Sequence, residues 1–358
     1  MAGRLLITYR LTAPEDKIPE IAEDIALEQT AELPKEAIFY KNVLKRIVGE
    51  IDSIESKTVK ISYDISTTDL QIPQFLNLLY GNISLKKGIK VIGLKIPKEF
   101  VGKFSGPNYG IQGIRKVFNI KNRPLLAAAL KPMGLSSLEL SGWCLKFALS
   151  GIDIIKDDHG ICGEFFKRVK LCQEAVNRAK EKTGKEVLYF PNLTAPMEDM
   201  EKRIEYGIKR GVRGFLVSPF LIGLDYSRYI TQNYPLIFIA HPSLSGTFFT
   251  NERHGINSEI ILGKLFRLIG SDIVIFPNFG GRFPFTKETC FNIDKSLKEG
   301  FYHIKKSLPA PAGGINLKNI PSIKDFYGKD VVILIGASLY LKSSNLEKTV
   351  RDIIRKFN

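Results

Sequence analysis

Apolar positions recur along this chain with two spacings. In the first hundred residues, strand-like runs fall at 5–11, 47–56, 58–63 and 89–96, and helix-like apolar faces at 18–29 and 74–80. The order strand, helix, strand, strand, helix, strand is that of a ferredoxin-like α+β unit. A stretch rich in Gly and Pro comes next, Phe104-Ser-Gly-Pro-Asn-Tyr-Gly110, and sets a domain boundary between it and Pro124. Residues 1–118 are expected as one domain and 119–358 as the next.

From Leu125 onward, short apolar runs at 125–130, 152–155, 187–190, 214–217, 236–240, 273–276, 310–312 and 331–335 alternate with amphipathic segments of helical length. The capping box Ser136-x-x-Glu139 opens the first helix, and the last is expected over 345–357. Eight such units match a (β/α)₈ barrel, which typically takes about 250 residues. The expected fold class is therefore α/β, a C-terminal (β/α)₈ TIM barrel preceded by an N-terminal ferredoxin-like α+β domain. An open doubly wound sheet is the alternative, but no GxGxxG follows a first strand.

Composition narrows the class without naming a function. With 44% hydrophobic and 25% charged residues the chain reads as globular. No run approaches the roughly 20 apolar residues of a membrane span, and residues 1–11 lack a signal-peptide core. Cys144, Cys162, Cys172 and Cys290 show no CxxC spacing, so packing roles and a reducing, cytoplasmic location are expected. Lys and Arg exceed Asp and Glu by 52 − 37 = 15, which favours an anionic ligand. The basic pairs Lys86-Lys87, Lys202-Arg203 and Lys305-Lys306 are scattered and not interleaved with aromatics, which argues against nucleic acid as the partner.

Barrel enzymes place their chemistry at the carboxyl ends of the strands. Those ends here carry Lys131-Pro-Met-Gly134, Lys156-Asp-Asp-His159, Pro191-Asn-Leu-Thr194, Ser218-Pro-Phe220, His241-Pro-Ser243, Pro277-Asn-Phe-Gly-Gly-Arg282, Gly313-Gly314 and Gly336-Ala-Ser338. In an extended chain Lys156 and Asp158 share a face while Asp157 points away. Alone, the run Lys156-Asp-Asp-His159 also reads as an exposed, solvated turn. Two of the four histidines, His159 and His241, fall at strand ends, which favours a site at this face. His254 is expected in a cap or turn, and His303 in mid-helix on the surface.

The motifs Ala26-Leu-Glu-Gln-Thr30, Tyr80-Gly-Asn-Ile-Ser84, Phe104-Ser-Gly-Pro107, Gly110-Ile-Gln112, Arg123-Pro-Leu-Leu126, Leu130-Lys-Pro-x-Gly-Leu-Ser136, Lys156-Asp-Asp158, His254-Gly-Ile256 and Gly313-Gly-Ile315 occur in this order. Together they resemble the RuBisCO superfamily over nearly the whole chain. The resemblance implies a homodimer, or a multiple of dimers, in which Glu28 and Asn82 of one subunit reach the barrel mouth of the other. It implies that Lys131 assists enolisation, that CO₂ carbamylates Lys156, that Asp158 binds Mg²⁺ and that His241 is an active-site histidine. A free lysine amine, with a pKa near roughly 10.4, is a cation and no ligand; its carbamate is an anion with two oxygens.

Departures from the family pattern carry the finer expectation. His159 stands in place of a metal-binding glutamate, which suits Mn²⁺, Fe²⁺ or Zn²⁺ better than Mg²⁺ if it is a ligand, and leaves a turn residue if it is not. Met133 replaces a second lysine, Pro242 a phosphate-binding arginine, Ile275 a histidine, Arg282 the lysine that orients CO₂, Ala312 a serine and Ala337 a phosphate-binding glycine. Losing the arginine at Pro242 removes a bidentate phosphate ligand, whereas Gly314, Gly336 and Arg282 could still hold one phosphate. The chain is thus similar to the RuBisCO-like proteins. The activity this implies is metal-assisted enolisation of a sugar monophosphate: isomerisation or tautomerisation of a methylthio-pentulose phosphate, or decarboxylation of a 3-oxo sugar-acid phosphate. A true carboxylase, and a silent scaffold or nucleic-acid binder, are the alternatives.

Overall fold

The computed structural model describes residues 3–357. Its strands are β1 Arg4–Leu11, β2 Glu50–Glu55, β3 Thr58–Asp64, β4 Ile89–Lys95, β5 Leu125–Leu130, β6 Ile154–Asp157, β7 Leu188–Phe190, β8 Gly214–Val217, β9 Ile237–Ala240, β10 Gly255–Ile256, β11 Ile273–Pro277, β12 Leu308–Ala312 and β13 Val332–Ile335. Two compact units divide the chain. One runs up to Ser105 and includes Leu244–Leu265 and Tyr302–Ile304; the other holds Gly106–Ser243, Phe266–Phe301 and the chain from Lys305 onward.

The first unit is a five-stranded sheet ordered β10-β4-β1-β3-β2, with β1 antiparallel to both β3 and β4. On β1, Leu5, Ile7, Tyr9 and Leu11 are buried and alternate with more open positions, as a one-sided sheet requires. Helices Ile18–Glu28 and Ile72–Tyr80 each begin with proline near the first position, where no amide hydrogen is needed, and bury one apolar stripe. The strand expected from Ile47 starts only at Glu50, because the short helix Lys41–Arg46 precedes it. β2 is an edge strand, and its charged residues Glu50, Asp52 and Glu55 keep that edge in water.

The second unit is the expected barrel. Eight parallel strands take the order β7-β6-β5-β13-β12-β11-β9-β8, and a bridge between Asn192 and Leu216 joins β7 to β8. The interior is packed with Leu125, Ala127, Ile154, Phe190, Leu216, Ile239, Ile275 and Leu334 among others. Because side chains alternate, the next inward positions at the carboxyl ends are Lys156, Asn192, Ser218, His241 and Gly336. The apolar core ends one layer below them, and polar groups begin. Helix Ser137–Ser150 carries the full capping box, with Ser136 N donating to Glu139 Oε2 at 2.8 Å and Glu139 N to Ser136 Oγ at 3.3 Å.

Two histidines lie outside the barrel unit. His254 occupies a turn, its ring against Tyr80 with Nδ1 3.0 Å from the hydroxyl. His303 differs from its mid-helix expectation: the preceding helix ends at Lys298, and Gly300 comes soon after, leaving His303 in a turn with Nε2 2.8 Å from the Phe104 carbonyl. All four cysteines are free; Cys144, Cys172 and Cys290 are buried and Cys162 is exposed.

Candidate active site

β6 delivers the charge. Its Ile154 and Ile155 are wholly buried, and the strand continues through Lys156 and Asp157, which are 3% and 0% exposed. The pleat sends the two side chains in opposite directions. Asp157 turns out towards the helical layer, where Arg168 Nε (2.9 Å), Tyr189 OH (2.7 Å) and Asn192 N (2.9 Å) all donate to its carboxylate. Asn192 in turn donates through Nδ2 to the carbonyls of His159 (2.9 Å) and Ile161 (3.2 Å), which fixes the loop carrying Asp158 and His159. Asp157 is thus a structural anchor beneath the site.

Lys156 turns inward. Burial, reinforced by the charge of Lys131 and opposed by Asp158, brings its pKa down to about 8. Its amine donates to the Asp157 carbonyl at 3.0 Å. Beside it, Asp158 pairs with Lys131 Nζ at 3.2 Å and lies 3.3 Å from His159 Nδ1. Burial alone would raise the Asp158 pKa, but the hydrogen bond from His159 and the charges of Lys156 and Lys131 outweigh it and hold the carboxyl well below its usual range.

Lys131 is set by its backbone. Its N–H donates to Tyr340 OH at 2.7 Å, and that hydroxyl donates to the Ala129 carbonyl at 2.9 Å, so Tyr340 clasps the end of β5. Trp143 packs on the Tyr340 ring with centroids 4.6 Å apart.

His241, at the end of β9, stacks its ring on His159 with centroids 4.1 Å apart and planes 13° apart. Burial, with the neighbouring charge of Lys156, pushes its pKa well below 6.5, so the ring is neutral near pH 7. Nδ1 lies 3.2 Å from the Ser243 N–H, which can only donate, and 2.8 Å from Ser243 Oγ. Nδ1 is therefore the acceptor, and the proton resides on Nε2.

The other sequence candidates divide between the two units. Gly314, at φ +70°, packs so closely on the Gly280-Gly281 backbone that a Cβ would come 2.7 Å from Gly281 Cα. The close approach brings the loop bearing Arg282 beside the turn after β12, and the Arg282 guanidinium lies over the Phe283 ring at 5.0 Å. Around the Cα of Gly336 nothing lies within 4 Å of where a Cβ would stand. In the first unit, Asn82 Nδ2 donates to Glu28 Oε1 at 3.1 Å and Lys86 Nζ to Glu28 Oε2 at 3.2 Å; the bond from Asn82, then that from Lys86, lowers the Glu28 pKa. Gln29 sets this pair by donating to the Asn77 and Leu78 carbonyls while accepting from Ile83 N. Of the departures, Met133 is 68% exposed, and Ile275 lies within the barrel core, a layer below the polar mouth.

The donor chemistry at β6 fits a divalent cation on one condition. Among the described residues, no three His, Cys, Asp or Glu side chains are arranged to hold a metal. Asp158 supplies one carboxylate, and hard cations take several oxygens. The buried Lys156 amine could supply more: with its pKa brought down to about 8, roughly a tenth of it is uncharged at pH 7, far more than of a free lysine, and only the uncharged amine can take up CO₂.

Residues 110–283 match the family model described as ribulose bisphosphate carboxylase large chain, catalytic domain. Ribulose bisphosphate carboxylase-like protein 1 of Rhodopseudomonas palustris is 35% identical over 356 residues, covering 97% of this chain and 95% of the relative. A protein of Rhodospirillum rubrum named 5-methylthioribulose-1-phosphate isomerase is 34% identical over 350 residues, covering 95% and 92%. The crystal structure of a Rubisco-like protein from Rhodopseudomonas palustris superposes with a TM-score of 0.90 at 31% identity, covering 100% of this chain and 98% of that one. The chain belongs to the RuBisCO superfamily, among its RuBisCO-like proteins.

Proposed function

We propose that this protein enolises a ketose monophosphate and returns the proton to a neighbouring carbon, so that the net reaction is isomerisation without fixation of CO₂. The observation that carries this reading is the ion pair of Lys131 and Asp158 at 3.2 Å beside the buried Lys156 amine. It sets a proton-carrying amine and an activatable lysine at adjacent strand ends. The relative from Rhodospirillum rubrum, by its name an isomerase of 5-methylthioribulose 1-phosphate, points to the substrate class.

In this mechanism Lys131 leaves its ion pair with Asp158 and gives its proton to solvent, and as the neutral amine its Nζ then takes the proton from the carbon next to the carbonyl, while the Tyr340 clasp fixes the strand end that carries it. His241 donates Nε2–H to the substrate oxygen on which enolate charge develops; as a neutral ring it does so without a buried cation. A cation held by Asp158 and a carbamate on Lys156 would polarise the carbonyl, with Mg²⁺ the family's choice and Mn²⁺ favoured if the His159 imidazole joins. Gly314, Gly336 and Arg282 receive the single phosphate. Glu28 and Asn82, already paired, complete the mouth of a partner subunit's barrel in a homodimer. The four free thiols accord with a cytoplasmic setting.

The test is incubation with 5-methylthioribulose 1-phosphate and, separately, ribulose 1,5-bisphosphate in the presence of Mg²⁺ or Mn²⁺ and labelled bicarbonate, then phosphorus NMR and acid-stable counting. Conversion of the monophosphate without incorporated label is expected. Label fixed above a Lys156→Ala control would instead make the protein a carboxylase.

A further inference from the structure

β8 ends in a serine that does not behave as its position suggests. Ser218 stands at the cap of the four-residue helix Pro219–Ile222, where a serine oxygen usually accepts from the first amides, yet its side chain makes no capping bond. The residue is 0% exposed, and its Oγ has no hydrogen-bond partner among the described residues. Its own N–H is fixed on Thr194 Oγ1 at 3.0 Å, so the strand end is held while the hydroxyl is left over.

The pleat gives the direction of that hydroxyl. Leu216 belongs to the barrel core, and Ser218, two residues on and still extended at φ −110° and ψ 94°, faces the same interior. Val217 pairs with Ala240, which sets Ser218 opposite His241 on the next strand. His241 has Nδ1 committed to Ser243, leaving its Nε2–H for the same space. A buried hydroxyl without a protein partner burdens the fold, and one at the mouth of a barrel stands where a ligand oxygen or an ordered water can satisfy it.

We propose that Ser218 binds substrate: its hydroxyl, beside the Nε2–H of His241, holds a hydroxyl or carbonyl oxygen of the phosphorylated ketose at its reacting carbons. The proposal rests on the enolising function and adds a residue to it. Two donors from adjacent strands fix the oxygen in direction as well as distance, which orients the neighbouring C–H towards Lys131.

Ser218→Ala and Ser218→Thr test it, with 5-methylthioribulose 1-phosphate as the probe and thermal unfolding as the second readout. Ser218→Ala is expected to lower kcat/KM at least about tenfold while leaving Tm unchanged or raised, since an unsatisfied hydroxyl has been removed. Ser218→Thr, which keeps the hydroxyl, is expected to recover most of the activity. Activity of Ser218→Ala within about twofold of wild type overturns the proposal while leaving the enolising function intact. A fall in Tm that Ser218→Thr restores, with activity tracking stability, assigns the hydroxyl to a buried water and overturns it too. A wild type that does not act on the probe removes the function itself, and the role of Ser218 with it.

Discussion

Replacing Lys156 by methionine should stabilise the protein near neutral pH and abolish its chemistry. Burial pushes the amine down to about 8 from the 10.5 of a free lysine. At about 1.36 kcal/mol per unit, the charged form costs the folded state about 3 kcal/mol at pH 7. The sign comes from proton counts. Between pH 8 and 10.5 the unfolded chain holds a proton that the folded chain has released, so stability rises with pH across that window and the cost shrinks to about 1 kcal/mol at pH 10. Urea unfolding in CO₂-free buffer, monitored through Trp143, the single tryptophan, reads the barrel unit. The advantage of Lys156→Met over wild type should shrink by about 2 kcal/mol between pH 7 and pH 10. Adding bicarbonate and Mg²⁺ at pH 8 should stabilise wild type alone. An advantage independent of pH, or a variant less stable than wild type at pH 7, would refute the account of Lys156 as a buried, depressed amine.

The same geometry has other consequences. Tyr340→Phe removes the hydroxyl that joins Lys131 N to the Ala129 carbonyl and should cost about 1–2 kcal/mol in urea unfolding, with roughly a tenfold loss of kcat from a displaced Lys131. Arg168→Met leaves the carboxylate of Asp157 buried without its cation and should cost about 3–5 kcal/mol by the same method; the Asp157→Leu, Arg168→Met double variant should recover part of that loss. Glu28→Ala and Lys131→Ala are each expected to be inactive, while a mixture refolded into hybrid dimers should regain up to about a quarter of wild-type activity if the site is shared between subunits.

The barrel was legible because its core strands are short apolar runs separated by helical segments, and alternation along β6 was enough to set Lys156 against Asp157. That separation of faces holds in the structure: Lys156 turns to the mouth, and Asp157 to Arg168 and Tyr189. The supporting residues were not legible, because each acts across a long separation in sequence. Tyr340 reaches Lys131 from 209 residues away, and no local pattern marks the tyrosine of a four-residue helix as the clasp on β5. Arg168 reads as one basic position among several on an amphipathic helix and shows its partner only in three dimensions. Ser218 looks like an ordinary helix cap before a proline, and its hydroxyl is informative only because the cap is not made. Helix Lys41–Arg46 escaped notice because it buries no residue and so leaves no apolar stripe. His303 was misplaced because the charged segment before it continues past the point where Glu299 leaves the helix.

The most direct test of the enolising function is proton NMR of 5-methylthioribulose 1-phosphate in D₂O with Mg²⁺ or Mn²⁺, bicarbonate, and wild type, Lys131→Ala or Lys156→Ala in turn. Wild type should replace the hydrogen next to the carbonyl with deuterium and form an isomer, and Lys131→Ala should do neither. Exchange that survives in Lys131→Ala but is lost in Lys156→Ala would move the proton transfer to Lys156, and no exchange with wild type would contradict the enolising function outright.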